Sequence, residues 1–197
     1  MTTRRPYHHG DLRAALLTHA RRALEEKGPG GLSLRELARE LGVSPGAPSR
    51  HFASKNALLD ALALEGFEDL RALLAAAQHE AGASLADRLT ALSYAYLDFA
   101  AASPALLDLM YSVKYDPTAS PELAAASQQL PAFAARLIED GQHRGEVREG
   151  PADEIGLPVM AAIHGYVALT VAGGIPADIV ERGLKDTVAF ALRGCAP

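Results

Sequence analysis

The sequence predicts an all-helical protein of about nine helices. Two observations on the 197-residue chain support this prediction. Alanine and leucine, both strong helix formers, supply 39 and 29 residues, whereas valine, isoleucine and threonine supply only 8, 5 and 7. Apolar residues also recur at helical spacing between Gly, Pro and Ser breakers. A buried parallel sheet is excluded, because its strands need runs of valine and isoleucine.

Capping and breaking residues set the expected boundaries of each helix. Ser33 to Glu36 form a Ser-x-x-Glu capping box, Ser44-Pro45 is an N-cap followed by a first helical residue, and Ser54 caps a long helix. Gly66 indicates a bend and Pro131 a kink. We expect the helices at about 11–27, 33–41, 44–52, 55–81, 84–102, 103–113, 121–141, 153–172 and 177–193.

The cellular location follows from what the sequence lacks. The lone Cys195 cannot form an internal disulfide. No apolar run reaches the roughly 18 residues of a membrane span, and the N-terminal residues lack the apolar core of a signal peptide. We therefore expect a cytoplasmic protein with no membrane partner.

Charge divides unevenly along the chain, although the net value is only −5. Residues 1–60 contain 10 Lys and Arg against 6 Asp and Glu, whereas residues 61–197 contain 9 against 18. A basic N-terminal part therefore precedes an acidic body, and this division is compatible with a nucleic-acid partner.

Residues 33–52, SLRELARELGVSPGAPSRHF, have the pattern of a helix-turn-helix. A short capped helix, a glycine turn closed by the apolar Val43 and a second short helix follow one another. The DNA major groove admits one α-helix, which a neighbouring helix can hold at a fixed angle. The basic residues around this unit are Arg4, Arg5, Arg13, Arg35, Arg39, Arg50 and Lys55.

The first 70 residues resemble the N-terminal domain of the TetR family of bacterial transcriptional repressors. The matching segments are HGDLRAALLTHARRALEEKG and LSLRELARELGVSPGAPSRHFASKNALLDALA. The resemblance implies a DNA-binding domain at 1–55, a fourth helix at 55–81 that connects, and a ligand-binding, dimerising body at 56–197. It implies these DNA-binding residues: Ser33, Ser44, Pro45, Gly46, Ala47, Ser49, Arg50, His51 and Lys55.

Individual roles follow from the same resemblance. Arg50 is the best candidate for a base or phosphate contact, Lys55 should contact a phosphate, and Phe52 should be core. Two residues depart from the family pattern. Ser49 occupies the place of a tyrosine that contacts a phosphate, and Pro48 cannot donate a helical hydrogen bond to the Ser44 carbonyl. We expect Pro48 to shape the start of the recognition helix without destroying it.

The body resembles, more weakly, a TetR subgroup with a Trp-His-Gly signature, which is Ile163-His164-Gly165 here. The family pairs its last two helices in a homodimer, which assigns an interface to Val159, Ile163, Val167, Val180, Leu184 and Val188. Ordinary packing within one chain explains these apolar stripes equally well. The family also places an inducer pocket in the body, for which the candidates are Tyr94, Tyr96, Phe99, Met110, Tyr111, Phe133 and His164. Each of these residues could instead be core.

The expected function is a repressor that leaves its operator DNA when a small organic ligand binds. One alternative is a helical ligand-binding dimer with lost or weak DNA binding. A remote alternative is a hydrolase using Ser44, because residues 42–46 match Gly-x-Ser-x-Gly, but that motif needs a preceding strand. His8, His9 and Asp11 do not have the spacing of a metal site. We expect no catalytic residue, metal or cofactor.

Overall fold

The computed structural model describes residues 9–197, with side chains from Leu12 onward. Arg4, Arg5 and His8, together with the side chains of His9 and Asp11, therefore lie outside the described residues.

Eight α-helices and three short 3-10 helices make up residues 9–197, and no strand occurs among them. The all-helical prediction is confirmed. The 3-10 helices are Pro29–Gly31, Pro48–Arg50 and Ala177–Ile179. The α-helices are α1 (His9–Lys27), α2 (Leu34–Glu40), α3 (Lys55–Glu80), α4 (Leu85–Ala102), α5 (Pro104–Val113), α6 (Pro121–His143), α7 (Ala152–Val171) and α8 (Val180–Cys195).

The chain packs as two compact units. The first contains the described residues up to Gly66 together with Ala105–Ala124, and the second contains Phe67–Pro104 and Ala125–Pro197. Buried apolar residues of the first unit include Leu16, Leu24, Leu37, Phe52, Leu58, Leu62 and Met110. Those of the second include Leu89, Tyr96, Ile138, Ile155, Val167 and Leu184.

Gly66 lies where α3 passes close to α5 in the first unit. A Cβ atom at this position would lie 2.7 Å from Sδ of Met110 and 3.2 Å from Cγ of Leu106. Both of these neighbours are buried, so the absence of a side chain at Gly66 lets the two helices approach. Helix α3 continues without interruption through Gly66 to Glu80.

The predicted N-cap at Ser54 is confirmed, whereas those at Ser33 and Ser44 are wrong, since no α-helix begins after Ser44. The hydroxyls of Ser54 and Ser84 each accept a hydrogen bond, at 3.1 Å, from the backbone N–H three residues later. Ser33, by contrast, makes no side-chain capping hydrogen bond to α2. The reciprocal capping box is replaced by ion pairs, because the carboxylate of Glu36 accepts hydrogen bonds from Lys27 at 3.2 Å and Arg39 at 3.3 Å.

Helix α5 is capped by a carboxylate that is distant in sequence. The two carboxylate oxygens of Glu25, on α1, accept hydrogen bonds from the backbone N–H groups of Ala105 at 3.0 Å and Leu106 at 3.1 Å. The first N–H groups of a helix have no partner inside it, and an acidic group there also interacts favourably with the helix dipole. Glu25 therefore ties the start of α5 to α1.

The starts of α4 and α6 depend on distant acids in the same way. Glu146 accepts a hydrogen bond from the N–H of Leu85 at 2.6 Å. Hydrogen bonds from the Arg144 guanidinium, and next from this N–H, lower the pKa of Glu146. At α6, the carboxylate of Asp60 holds Ser120, accepting from its N–H at 2.8 Å and from its hydroxyl at 2.7 Å. None of the three capping acids could be assigned from local sequence spacing.

The apolar stripes of α7 and α8 face inward within the single chain. Val159, Ile163, Val167, Leu184 and Val188 are all buried, and Val180 is half-buried. Helix α7 packs against α8, and both pack against α4. These six interface candidates therefore take part in packing within one chain, which the sequence left open as the alternative to a dimer interface.

Helix α7 is long and apolar enough to cross a membrane by length and composition, with a mean hydropathy of 1.4, although the sequence was expected to contain no such segment. The expectation relied on uninterrupted apolar runs, whereas α7 reaches this mean with polar residues interspersed. Helix α7 packs against α4 and α8, and its buried residues are Ile155, Gly156, Val159, Ile163 and Val167.

Removing the Glu25 carboxylate should destabilise the protein by freeing two N–H groups of α5. We expect Glu25→Ala to lower the free energy of unfolding by about 1 kcal/mol in urea denaturation. Glu26→Ala is the matched control, since the exposed Glu26 carboxylate caps no helix among the described residues and lies 3.8 Å from the Arg22 guanidinium. It should change the free energy by less than about 0.5 kcal/mol. Equal effects of the two substitutions would contradict the capping role.

Candidate nucleic-acid interface

The turn after α2 sets the direction of the candidate recognition segment. The N–H of Val43 donates to the carbonyl of Ala38 at 3.0 Å, and the N–H of Gly42 donates to that of Arg39 at 3.2 Å. Gly42 has φ 65°, the left-handed conformation that glycine adopts most readily. These features define a Schellman motif, in which Val43 is the apolar residue after the glycine. The predicted glycine stop is confirmed.

The segment after this turn is not the α-helix that the sequence predicted. Ala47 N–H donates to the Ser44 carbonyl at 2.9 Å, and a single 3-10 turn follows at Pro48–Arg50. In an α-helix the Ser44 carbonyl would accept from the N–H of residue 48, which proline lacks. The expectation that Pro48 would only shape the start of this helix was therefore wrong. Its ring is buried.

The nine DNA-binding candidates differ in their accessibility. Ala47, His51 and Lys55 are half-buried. The exposed candidates are Ser33, Ser44, Pro45, Gly46, Ser49 and Arg50. Phe52 is buried, as predicted, and the guanidinium of Arg13 lies 5.5 Å from the centre of its ring. Arg13, which the resemblance did not single out, is therefore next to the recognition segment.

Lys55 has a structural partner within the first unit. Its ammonium group donates a hydrogen bond to the carbonyl of Gly30 at 2.8 Å. This bond ties the start of α3 to the loop after α1. Any phosphate contact by Lys55 would have to share the ammonium with this carbonyl.

Several other cations of the first unit differ in their pairing. Arg22 lies 3.3 Å from Glu40, while Lys27 and Arg39 contact Glu36. Three exposed arginines, Arg13, Arg35 and Arg50, have no carboxylate partner within residues 12–197. Unpaired guanidinium groups on a surface are the groups that bind phosphate and base edges.

Helices α1 and α2 are joined by a polar cluster on the surface. A ring nitrogen of His19 lies 3.3 Å from the Glu40 carboxylate, which also accepts from Arg22. The hydrogen bond with His19, assisted by the charge of Arg22, lowers the pKa of Glu40. These contacts help to hold α2 at a fixed angle to α1.

The seven ligand-pocket candidates are divided between the two units. Met110 and Tyr111 belong to the first unit, and Met110 is fully buried there beside Gly66. The other five are in the second unit: Tyr94, Tyr96, Phe99, Phe133 and His164.

Polar groups of two of these candidates meet inside the second unit. The hydroxyl of Tyr96 lies 2.7 Å from Nδ1 of His164, and the two rings stack with their centres 6.1 Å apart. The hydroxyl of Tyr94 is buried. The pKa of Lys185 is raised by Glu181 and, to a smaller extent, by Tyr94, so the Lys185 ammonium lies near this hydroxyl.

Two chemical alternatives lack their structural context. Ser44 follows helix α2 and its turn rather than a strand, so Gly42–Gly46 does not form a nucleophile elbow. Over residues 12–197, no three His, Cys, Asp or Glu side chains gather in a group that could hold a metal ion.

Comparisons with known sequences agree with this geometry. Residues 16–62 match the model of bacterial regulatory proteins of the tetR family. Residues 89–191 match the tetracyclin repressor-like C-terminal domain. The HTH-type transcriptional regulator UidR of Escherichia coli K12 is 25% identical over 180 residues, which cover 91% of this chain and 87% of UidR.

Solved structures are similar over nearly the whole length. A protein of unknown function from Rhodococcus sp. RHA1 is 41% identical with a TM-score of 0.89, covering 98% of this chain and 100% of that one. A tetR-family regulatory protein from Rhodococcus RHA1 is 26% identical with a TM-score of 0.70, covering 94% and 98%. The helix-turn-helix architecture, the two family matches and these relatives together show that the chain belongs to the TetR family of transcriptional regulators.

Proposed function

We propose that this regulator is a cytoplasmic, homodimeric repressor that binds operator DNA and is released by a small organic ligand. The observation that carries the DNA-binding part is a set of exposed arginines in the first unit that have no carboxylate partner among the described residues: Arg13, Arg35 and Arg50. Most other cations of that unit are bound by carboxylates or, for Lys55, by a backbone carbonyl. The unpaired guanidinium groups are therefore available to phosphates.

Dimer formation is supported by apolar side chains that the chain leaves exposed. On α7, Leu157 is 69% exposed and Leu169 is 58% exposed; on α8, Phe190 is 65% exposed. Ala161, which lies about one helical turn after Leu157 on the same face of α7, is also exposed. A second copy covering this surface would remove it from water and would position two recognition segments on half-sites about 34–36 Å apart, or a multiple of that spacing.

Ligand binding in the second unit is supported by the Tyr96–His164 pair, which brings a hydroxyl and an imidazole together between stacked rings. A small, mostly apolar molecule with one or two hydrogen-bonding groups matches this mixture of aromatic and polar groups. Such a ligand acts as a switch when it binds the DNA-free conformation more tightly than the DNA-bound one. The same DNA-binding assay that tests the operator contact measures this release.

Loss of one unpaired arginine should weaken DNA binding in a salt-dependent manner. We expect Arg35→Ala to reduce affinity for the DNA upstream of the protein's own gene. It should also reduce the slope of log affinity against log salt by about 1, because one phosphate contact is lost. Fluorescence anisotropy over a salt series measures both quantities.

Arg136→Ala is the matched control for this experiment. Arg136 is also an exposed arginine without a carboxylate partner in the described chain, but it lies on α6 in the second unit. Its removal should leave the slope unchanged. The same slope for Arg35→Ala and the wild type would argue against a phosphate contact by Arg35.

Restoring an aromatic hydroxyl at position 49 should tighten DNA binding. Ser49 is exposed, so a tyrosine side chain can extend from it without displacing core residues. We expect Ser49→Tyr to raise affinity up to about tenfold through a hydrogen bond to a phosphate. Ser49→Phe adds the same ring without the hydroxyl and should not show this gain. Equal affinities of the two variants at fixed salt would contradict the proposal.

Charges on the exposed apolar surface should separate the dimer. We expect Leu157→Glu combined with Phe190→Glu to weaken dimerisation by about 3 kcal/mol or more, roughly 100-fold in the dissociation constant, because a buried interface would contain unpaired charges. Sedimentation velocity measures this change. Tyr115→Glu is the control, since Tyr115 is a 78% exposed aromatic residue in the first unit. A double variant that still sediments as the wild type would place the interface elsewhere.

The second candidate function, a ligand-binding dimer with weak or lost DNA binding, is favoured by one observation. Pro48 replaces the expected recognition α-helix by a turn and a single 3-10 turn. Wild-type protein that bound no duplex DNA even at low salt would support this candidate. Binding that weakens steeply with added salt would support the repressor.

A further inference from the structure

The recognition segment, Ser44–His51, presents very few side chains that could reach the edge of a base. Its exposed residues are Ser44, Pro45, Gly46, Ser49 and Arg50. The first four have short side chains or none, and the position of a Cβ on Gly46 is open space. Arg50 alone has a long, exposed side chain with hydrogen-bond donors.

The regular structure in this segment is short because proline occupies position 48. Because Pro48 has no N–H, the Ser44 carbonyl accepts from Ala47 in a tight turn, and the N–H groups of Arg50 and His51 donate three residues back. A recognition α-helix normally presents side chains from several successive positions to the major groove. A single 3-10 turn of three residues cannot present as many.

The Arg50 guanidinium is also uncommitted, in contrast to its neighbours. It has no ion pair or hydrogen bond among the described residues. Nearby, Lys55 donates to the Gly30 carbonyl and Arg39 to the Glu36 carboxylate. A planar guanidinium donates two parallel hydrogen bonds to O6 and N7 of guanine, which is a common specific contact in the major groove.

We infer that Arg50 supplies most of the direct base recognition of this regulator, and that it selects a single guanine in each half-site. The remaining contacts, including those of Arg35, bind phosphates and contribute affinity without sequence preference. This inference rests on the proposed function, because it assumes that the chain binds duplex DNA.

Selection from a random duplex pool tests the inference directly. The wild type should enrich one guanine per half-site far more than any other base. Arg50→Ala should bind the guanine-containing duplex about 5- to 150-fold less tightly, which corresponds to one bidentate contact, and should no longer prefer guanine at that position. Arg50→Lys keeps the charge but not the planar fork, so it should retain overall affinity better than Arg50→Ala while showing a weaker preference for guanine than the wild type.

A base analogue identifies the atoms involved. Replacing the selected guanine by 7-deazaguanine removes the N7 acceptor, so it should lower the affinity of the wild type and leave that of Arg50→Ala unchanged. Pro48→Ala, checked by circular dichroism for retained folding, restores the missing N–H and should add preferred bases at further positions. An unchanged set of preferred bases in this variant would overturn the role given to Pro48.

Two results would overturn the inference while leaving the proposed function intact. One is a preference at several positions that survives Arg50→Ala. The other is a uniform loss of affinity for all sequences in Arg50→Ala that Arg50→Lys restores, because that pattern belongs to a phosphate contact. Failure of the wild type to bind any duplex at low salt is different, since it would overturn the proposed function and this inference together.

Discussion

The backbone N–H groups at the start of each helix, which have no partner inside the helix, impose the constraint on which this structure depends. Three helices meet it with acids that are distant in sequence. Glu146 serves α4, Glu25 serves α5, and Asp60 acts through Ser120 at the start of α6. Because each acid lies on a different segment from the helix start it contacts, these bonds connect distant segments within a unit as well as capping a helix.

A missing backbone N–H, rather than an unpartnered one, explains the candidate DNA-binding site. Pro48 lacks the N–H that would continue a helix, and the segment around it becomes a turn with one 3-10 turn. The Schellman motif at Gly42 still directs this segment away from α2. A family architecture is thus kept while its recognition element is shortened, and the guanidinium of Arg50 becomes its one long exposed group.

Basic residues are concentrated in the N-terminal part of the chain, whereas exposed apolar residues such as Leu157 lie in the second unit. The N-terminal 60 residues are basic and the rest are acidic, and in the first unit carboxylates pair with several cations but not with Arg35 or Arg50. The cluster of His19, Arg22 and Glu40 uses its charges to join α1 to α2. Exposed apolar residues of the second unit, such as Leu157, remain for association of copies.

The sequence by itself determined eight of the nine expected helices, the glycine turn after α2 and the family, because these depend on spacing and on caps within a few residues, as at Ser54 and Gly42. Only the tertiary structure decided which apolar face of α7 is buried. Val167 is inside and Leu157 is outside, and helical periodicity reveals a stripe without revealing its partner. Glu25 likewise meets α5 across 80 residues of sequence, a contact that exists only after the chain has folded.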